Sequence, residues 1–79
     1  MKSKKDNESA AADRLVGSRI KELRLKHGWS QEELAKRMGY TAANSRSTIS
    51  KIENGDNGID QSTLIKFAKI FGTSPVYLL

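Results

Sequence analysis

The 79-residue sequence contains no cysteine and only one histidine. The lack of cysteine excludes disulfides and thiolate metal sites, so packing and oligomerisation must stabilise this small chain. His27 has no second histidine or cysteine for a metal site and no partners for a catalytic triad, so we expect neither a metal nor an enzyme. No apolar run approaches the roughly 18 residues of a membrane span, and the lysine-rich start lacks a signal peptide's apolar stretch. We therefore expect a cytoplasmic protein without a cofactor, a membrane contact or an evident small-molecule ligand.

The net charge of +5 is concentrated in one part of the chain. Residues 19–53 hold eight lysines and arginines against four acidic residues, whereas residues 54–79 hold two of each. A basic stretch of this kind is expected of a surface that faces phosphates, although many solvated helix faces are also basic. Charge alone therefore leaves both interpretations open.

Apolar residues recur at helical spacing in five segments, and no segment alternates with a period of two for long enough to form a strand. The run SQEE at 30–33 is a capping box that begins one helix, and Gly28 and Gly39 are helix stop signals. The length allows one domain, so we predict an all-α domain over residues 9–79 after a flexible basic arm at residues 1–8. The predicted helices span about 10–27, 31–38, 45–54, 61–71 and 75–79.

The segment 31–54 meets the requirements of two helices that cross steeply. Such a crossing needs a small residue at the contact and a glycine in the turn, and Ala35 and Gly39 occupy these places. Apolar residues must also line the facing sides of the helices. The predicted core residues are Val16, Ile20, Leu23, Trp29, Leu34, Ala35, Met38, Ile49, Ile52, Leu64, Phe67, Ala68 and Phe71.

The run SQEELAKRMG at 30–39 and the run SRSTISKIENG at 45–55 resemble the lambda-repressor-like (Cro/C1-type, XRE) helix-turn-helix family. The resemblance covers about residues 14–79 and includes the closing SPVYLL. It implies a five-helix DNA-binding domain in which the helix at 45–54 lies in the major groove of double-stranded DNA. It also implies a transcriptional regulator, and a repressor in particular, whose partner is a DNA operator.

The resemblance assigns base contacts to the predicted recognition helix. The Arg46 guanidinium can donate to both O6 and N7 of guanine, which contributes about 1–3 kcal/mol of discrimination. The alternative for Arg46 is a contact with phosphate. The positions implied to meet base edges are Arg46, Ser47 and Lys51, with Ser45 and Ser50 nearby.

Gln31 and Asn54 match family positions that bind backbone phosphates and so fix the register without reading the sequence. Helix capping is the alternative for both. Lys36 and Arg37 are either phosphate contacts or solvated charges. The complete set of predicted phosphate contacts is Gln31, Asn54, Ser30, Lys36, Arg37, Tyr40 and Asn44.

The N-terminal arm carries Lys2, Lys4 and Lys5, which resemble the lysine arm that wraps the duplex in lambda-type repressors. A flexible basic tail releases counterions when it contacts phosphate. The alternative is a flexible start without a role.

Two features concern the position of the recognition helix. In the family, an arginine and a glutamate at the positions of Arg24 and Glu53 form an ion pair that ties the first helix to the recognition helix. The turn at residues 40–44 departs from the family, which has only one or two residues there. The extra residues either bulge towards the DNA backbone or add a turn to the helix. We favour the bulge, because Asn44 and Ser45 form a better helix cap than Thr41.

The family also includes antitoxins and bridging proteins whose main partner is another protein, and this is the alternative function. A single domain of this kind reads half a site, so we expect a homodimer on DNA. The fifth helix, with Val76, Tyr77, Leu78 and Leu79, is the candidate interface. The sequence ends within this helix, and we expect a C-terminal domain to follow in the natural protein.

Overall fold

The computed structural model describes residues 4–41 and 45–79, with the backbone alone for residues 4–11. Every regular element in these residues is a helix, which confirms the predicted all-α, five-helix fold. The helices are α1 (Lys4–Lys26), α2 (Gln31–Arg37), α3 (Ser45–Glu53), α4 (Gln61–Phe71) and α5 (Pro75–Leu78). The third helix packs against the first two, whereas α5 packs against α4 and α1.

The first helix is longer than the sequence pattern indicates. It begins at Lys4 and not near residue 10, so the backbone at Lys4 and Lys5 is helical. The run Ala10–Ala12 consists of strong helix formers, and residues 4–9 contain neither glycine nor proline to stop the helix. Lys2 and Asn44, both predicted DNA contacts, lie outside the described residues.

The other helix boundaries differ from the predicted ones by at most one residue. Ser45 is the first residue within α3 and does not precede the helix as a cap residue would. Glycine 28 ends α1 in a left-handed conformation with φ of +73°, where a side chain would be strained. The amide of Trp29, one residue later, donates to the Arg24 carbonyl at 3.1 Å and closes this turn.

Twelve hydrophobic side chains form the core among the described residues. They come from all five helices, and Trp29 and Leu64 pack against them from partly buried positions. The apolar spacing of the sequence therefore located most of the core. The buried residues are Val16, Ile20, Leu23, Leu34, Ala35, Met38, Ile49, Ile52, Phe67, Ala68, Phe71 and Leu78.

The position of Leu78 contradicts its predicted place in a dimer interface, because its side chain is completely buried in the core. A single helical turn cannot direct four consecutive residues to the same side, so only Leu78 points inward. Val76, Tyr77 and Leu79 remain exposed.

Asp60 caps α4, with its Oδ1 accepting hydrogen bonds from the Thr63 amide at 2.8 Å and the Ser62 hydroxyl at 3.1 Å. The hydrogen bonds from Thr63, and then that from Ser62, hold the pKa of the Asp60 carboxyl below its ordinary value. The ionised carboxyl therefore stabilises the fold at pH values above its ordinary pKa. This contribution is lost as the pH falls through the lowered pKa.

Replacement of Asp60 by asparagine preserves an oxygen acceptor at the cap and removes the charge. We expect the wild-type protein to be more stable than Asp60→Asn at neutral pH, with the difference disappearing in strong acid. Thermal unfolding of both proteins over an acid pH series measures this. A difference that stays constant over the whole series would contradict the assigned role of the charge.

Candidate nucleic-acid interface

The third helix has one buried side and one exposed polar side. Ile49 and Ile52 point into the core, whereas Arg46, Ser47 and Lys51 are exposed. At about 100° per residue, these three exposed positions lie within a single arc of about 140° around the helix. The helix therefore presents two cations and a hydroxyl to the outside while its opposite side is held in place by packing.

The remaining predicted base contacts are less accessible than these three residues. Ser45 and Ser50 are half-buried, and Asn54 is exposed just after the last residue of α3. The Asn54 amide donates to the Ser50 carbonyl at 3.0 Å and continues the helical pattern by one residue. The structure thus brings Asn54 and the exposed side of α3 together on one surface.

A buried ion pair joins α1 to the end of α3. Arg24 Nε donates to Glu53 Oε2 at 2.6 Å, and Arg24 Nη2 donates to Oε1 at 3.2 Å. Both side chains are nearly inaccessible to solvent, with exposed fractions of 9% for Arg24 and 2% for Glu53. These are the two residues that the family resemblance pairs. Arg24 Nη1 also donates to the Trp29 carbonyl at 2.8 Å, which anchors the segment before α2.

Gln31, at the start of α2, also contacts this ion pair. Its Nε2 donates to Glu53 Oε1 at 3.1 Å. Beside it, an open cleft of about 410 Å³ is lined by Arg24, Ser30, Gln31, Glu32 and Arg46. The start of α2 and the start of α3 therefore share one concave surface, and predicted phosphate-binding and base-binding residues lie on its walls.

Ser30 caps α2, because its Oγ accepts a hydrogen bond from the Glu33 amide at 3.0 Å. The capping box also predicts that the Glu33 carboxylate returns to Ser30. That carboxylate instead pairs with Arg37 Nε at 3.0 Å, one turn further along α2. Ser30 is exposed and lines the cleft, so its hydroxyl can also donate a hydrogen bond to a ligand there.

Arg37 and Lys36 differ in their surroundings. The Arg37 guanidinium lies 4.1 Å from the centre of the Trp29 ring in addition to its ion pair with Glu33. Viewed along the axis of α2, Arg37 lies about 140° from Glu32, and Glu32 lines the cleft. Arg37 therefore lies on a different side of α2 from Glu32. Both Arg37 and Lys36 are exposed, but these contacts favour a structural role over phosphate binding for Arg37.

The turn after α2 begins with Gly39, whose φ of +81° suits glycine. The Tyr40 amide then donates to the Ala35 carbonyl at 2.9 Å, and the Tyr40 ring packs against the core. Burial, followed by the negative charge of Asp60, raises the pKa of the Tyr40 phenol. Tyr40 therefore keeps its hydroxyl proton at neutral pH.

Two glycines that position α3 had no functional assignment from the sequence. A Cβ added at Gly17 in α1 would meet the carbonyl oxygens of Ile52 and Glu53, the latter at 2.7 Å. A Cβ at Gly55 would lie 2.8 Å from Arg14 Cα. The backbones of α1 and α3 therefore lie in direct contact where α1 crosses the end of α3. A glycine within a helix lowers helix stability, and this signal could have indicated a close approach at Gly17.

The described residues contain no group of three or more His, Cys, Asp and Glu that could hold a metal ion. None of the helices in this part of the chain is both long enough and apolar enough to cross a membrane.

Comparison with known proteins identifies two relatives. The chain is 34% identical over 58 residues to an HTH-type transcriptional regulatory protein of Pyrococcus abyssi, with 73% of this chain and 17% of that protein aligned. It is 36% identical over 66 residues to the competence pilus inhibition repressor of Acinetobacter baylyi, with 81% of this chain and 56% of that protein aligned. The chain thus spans less than two thirds of either relative. No solved structure gives a significant match.

A family model described as helix-turn-helix matches residues 20–78, which include the end of α1 from Ile20 and all later helices. The match contains the pair of helices α2 and α3, the buried ion pair and the exposed side of α3. The chain therefore belongs to the lambda-repressor-like (Cro/C1-type, XRE) helix-turn-helix family.

Proposed function

We propose that the chain binds double-stranded DNA sequence-specifically through α3 inserted in the major groove. The observation that carries this proposal is the arrangement of α3, whose inner side is fixed by Ile49, Ile52 and Glu53 while its outer side is polar and basic. A major groove about 12 Å wide admits one α-helix, and its base edges are read by hydrogen-bond donors and acceptors.

Arg46 and Lys51 are the proposed base-reading cations. Each is exposed on α3, and both lie on the side opposite to the core. The fork of Arg46 fits the two acceptors of guanine, and the ammonium of Lys51 fits the same acceptors as a point charge. Ser47, between them on the outer side, can donate to or accept from either kind of base pair.

Phosphate contacts would hold this helix in register. Gln31 and Ser30 line the cleft beside Arg46, and Asn54 lies at the other end of α3, so the two groups flank the base-reading residues. Lys36 adds an exposed cation on α2. Contacts on both sides of an inserted helix fix its orientation without contributing sequence information themselves.

A protein partner in place of DNA is the less favoured alternative. Apolar and aromatic side chains are typical of the centre of a protein–protein interface. The exposed side chains of α3 are Arg46, Ser47 and Lys51, which are polar or charged. This surface therefore suits the base edges and phosphates of a duplex better than an apolar protein surface.

We also propose that the chain represses transcription and binds its operator as a dimer. The name of the Acinetobacter baylyi relative describes a repressor, and this supports repression as the function of the present chain. The exposed apolar residues Val76, Tyr77 and Leu79 of α5 support a second copy as a partner on the operator. A reporter gene whose promoter overlaps the operator would lose expression with a repressor and gain expression with an activator.

Substitution of Arg46 by alanine tests the assignment of α3. We expect Arg46→Ala to weaken binding to a duplex selected from random sequences by about 1–3 kcal/mol, because one bidentate base contact is lost. Binding to unrelated duplexes should weaken much less. Titrations of the wild type and the variant on both kinds of duplex measure the difference.

The control is Lys69→Ala, which removes an exposed lysine from α4. We expect this variant to bind the selected duplex as the wild type does, apart from a small effect of net charge. Equal affinities of the wild type and Arg46→Ala for the selected duplex would refute the placement of α3 in the groove. A palindromic selected site, with half-site centres about 34 Å apart, would support a dimer.

A further inference from the structure

The Glu53 carboxylate receives hydrogen bonds from two elements at once. Arg24 supplies two donors from α1, and Gln31 supplies its Nε2 from α2 at 3.1 Å from Glu53 Oε1. Within the described residues, no buried side-chain nitrogen or oxygen lacks a hydrogen-bond partner. Arg24 compensates the buried charge, and the contact with Gln31 is an additional function of the same carboxylate.

This contact determines which end of the Gln31 carboxamide faces the protein. An ionised carboxylate only accepts hydrogen bonds, so it selects the NH₂ end of the amide and repels the carbonyl end. A rotation of the carboxamide by 180° would place Gln31 Oε1 against Glu53 Oε1. One N–H of Gln31 is then used by Glu53, and the second N–H is left for another acceptor.

We infer that Glu53 is a positioning residue for DNA binding, which orients the Gln31 carboxamide so that its second N–H donates to a backbone phosphate oxygen. Gln31 is half-buried and lines the open cleft beside Arg46, so an acceptor can approach it from solvent. Without Glu53, the carboxamide could present either end, and its carbonyl oxygen would repel a phosphate. The inference rests on the proposed function and adds a role for a residue that does not touch the duplex.

Glu53→Gln distinguishes the positioning role from a simple effect of charge, because the two predict opposite changes in DNA affinity. Glu53→Gln removes a negative charge close to the proposed DNA surface, so charge alone would strengthen binding to the phosphate backbone. Loss of the positioned amide would weaken it. We expect Glu53→Gln to weaken binding roughly threefold to tenfold, as the loss of one hydrogen bond would.

The experiment measures duplex affinity for the wild type, Gln31→Leu, Glu53→Gln and the double variant. Each affinity is referred to the folded fraction measured by urea unfolding, because Glu53→Gln leaves the buried Arg24 without its carboxylate and is expected to destabilise the fold. Because the lost donor is neutral, the expected losses are similar for specific and unrelated duplexes, with little change in salt dependence. If Glu53 acts through Gln31, the double variant binds no more weakly than Gln31→Leu. Additive losses, or unchanged or tighter binding by Glu53→Gln alone, would overturn the inference.

The matched control is Arg24→Lys, which disturbs the ion pair but keeps a carboxylate facing Gln31. We expect it to lower stability and to weaken duplex binding by the folded protein less than Glu53→Gln does, because the Glu53 carboxylate still faces Gln31. If Arg24→Lys and Glu53→Gln weaken binding equally, Glu53 acts through the ion pair alone and the inference is wrong. The placement of α3 in the groove is tested independently by Arg46→Ala. The positioning role of Glu53 can therefore fail while the proposed function stands.

A spectroscopic measurement adds a readout that stability does not affect. The two side-chain amide protons of Gln31 give separate resonances in a ¹⁵N-labelled protein. We expect addition of the duplex to shift mainly one of them in the wild type and to lose this asymmetry in Glu53→Gln. Equal behaviour of the two proteins would also overturn the inference.

Discussion

Arg24→Ala is expected to destabilise the fold by about 3–5 kcal/mol, because it leaves the Glu53 carboxylate buried without its cation. The same substitution removes the hydrogen bond to the Trp29 carbonyl, which has its own cost in a partly buried site. A domain of this size has little stability to lose, so we expect much of the variant to be unfolded at room temperature. Urea unfolding followed by circular dichroism measures the loss.

Lys21→Ala is the matched control, since it removes an exposed cation from the same helix and should change stability by less than about 0.5 kcal/mol. A double variant tests whether the unpaired buried charge causes the loss of stability. Because a buried ion pair can often be replaced by apolar residues, Arg24→Met combined with Glu53→Leu should recover much of the lost stability. A loss of less than 1 kcal/mol in Arg24→Ala would mean that the pair is not buried in solution.

Gly17→Ala is the second substitution with a large expected effect. Its Cβ would meet the carbonyl oxygens of Ile52 and Glu53, and backbone atoms cannot move aside as a flexible side chain can. Alanine gains about 1 kcal/mol of helix propensity over glycine, and we expect the collision to outweigh this gain. The predicted net result is a loss of about 3 kcal/mol, the upper end of the usual effect of overpacking.

Ser18→Ala is the comparison, because Ser18 is the next residue of α1 and is exposed. The same helix then gains helix propensity without a collision, so its stability should remain equal or rise slightly. Thermal unfolding of the two variants gives the difference. A folded Gly17→Ala protein as stable as the wild type would show that α1 and α3 can separate at little cost.

Much of the fold and part of the candidate site could be predicted from local sequence signals. The spacing of Ile49 and Ile52 located the buried side of α3, and the serine at position 30 located the start of α2. Both signals depend only on residues within one or two turns. The Arg24–Glu53 pair came from resemblance to a family, since its two partners are 29 residues apart.

The remaining features depend on tertiary contacts that no local pattern encodes. The contact of Gln31 with Glu53 joins residues 22 apart and requires the crossing angle of α2 and α3 to be known. The role of Gly17 likewise requires the path of α1 across α3. The burial of Leu78 was missed because the four apolar residues of α5 were treated as one surface, although a helical turn directs them to different sides.

The separation of the two sides of α3 also has an evolutionary consequence. Ile49, Ile52 and Glu53 secure the helix from within, so Arg46, Ser47 and Lys51 can be exchanged without rearranging the interior. Under the proposed function, duplicated genes with this architecture would diverge in the sites they recognise through a few mutations on the outer side of α3. Such mutations leave the buried residues unchanged, so new targets would not require a new core.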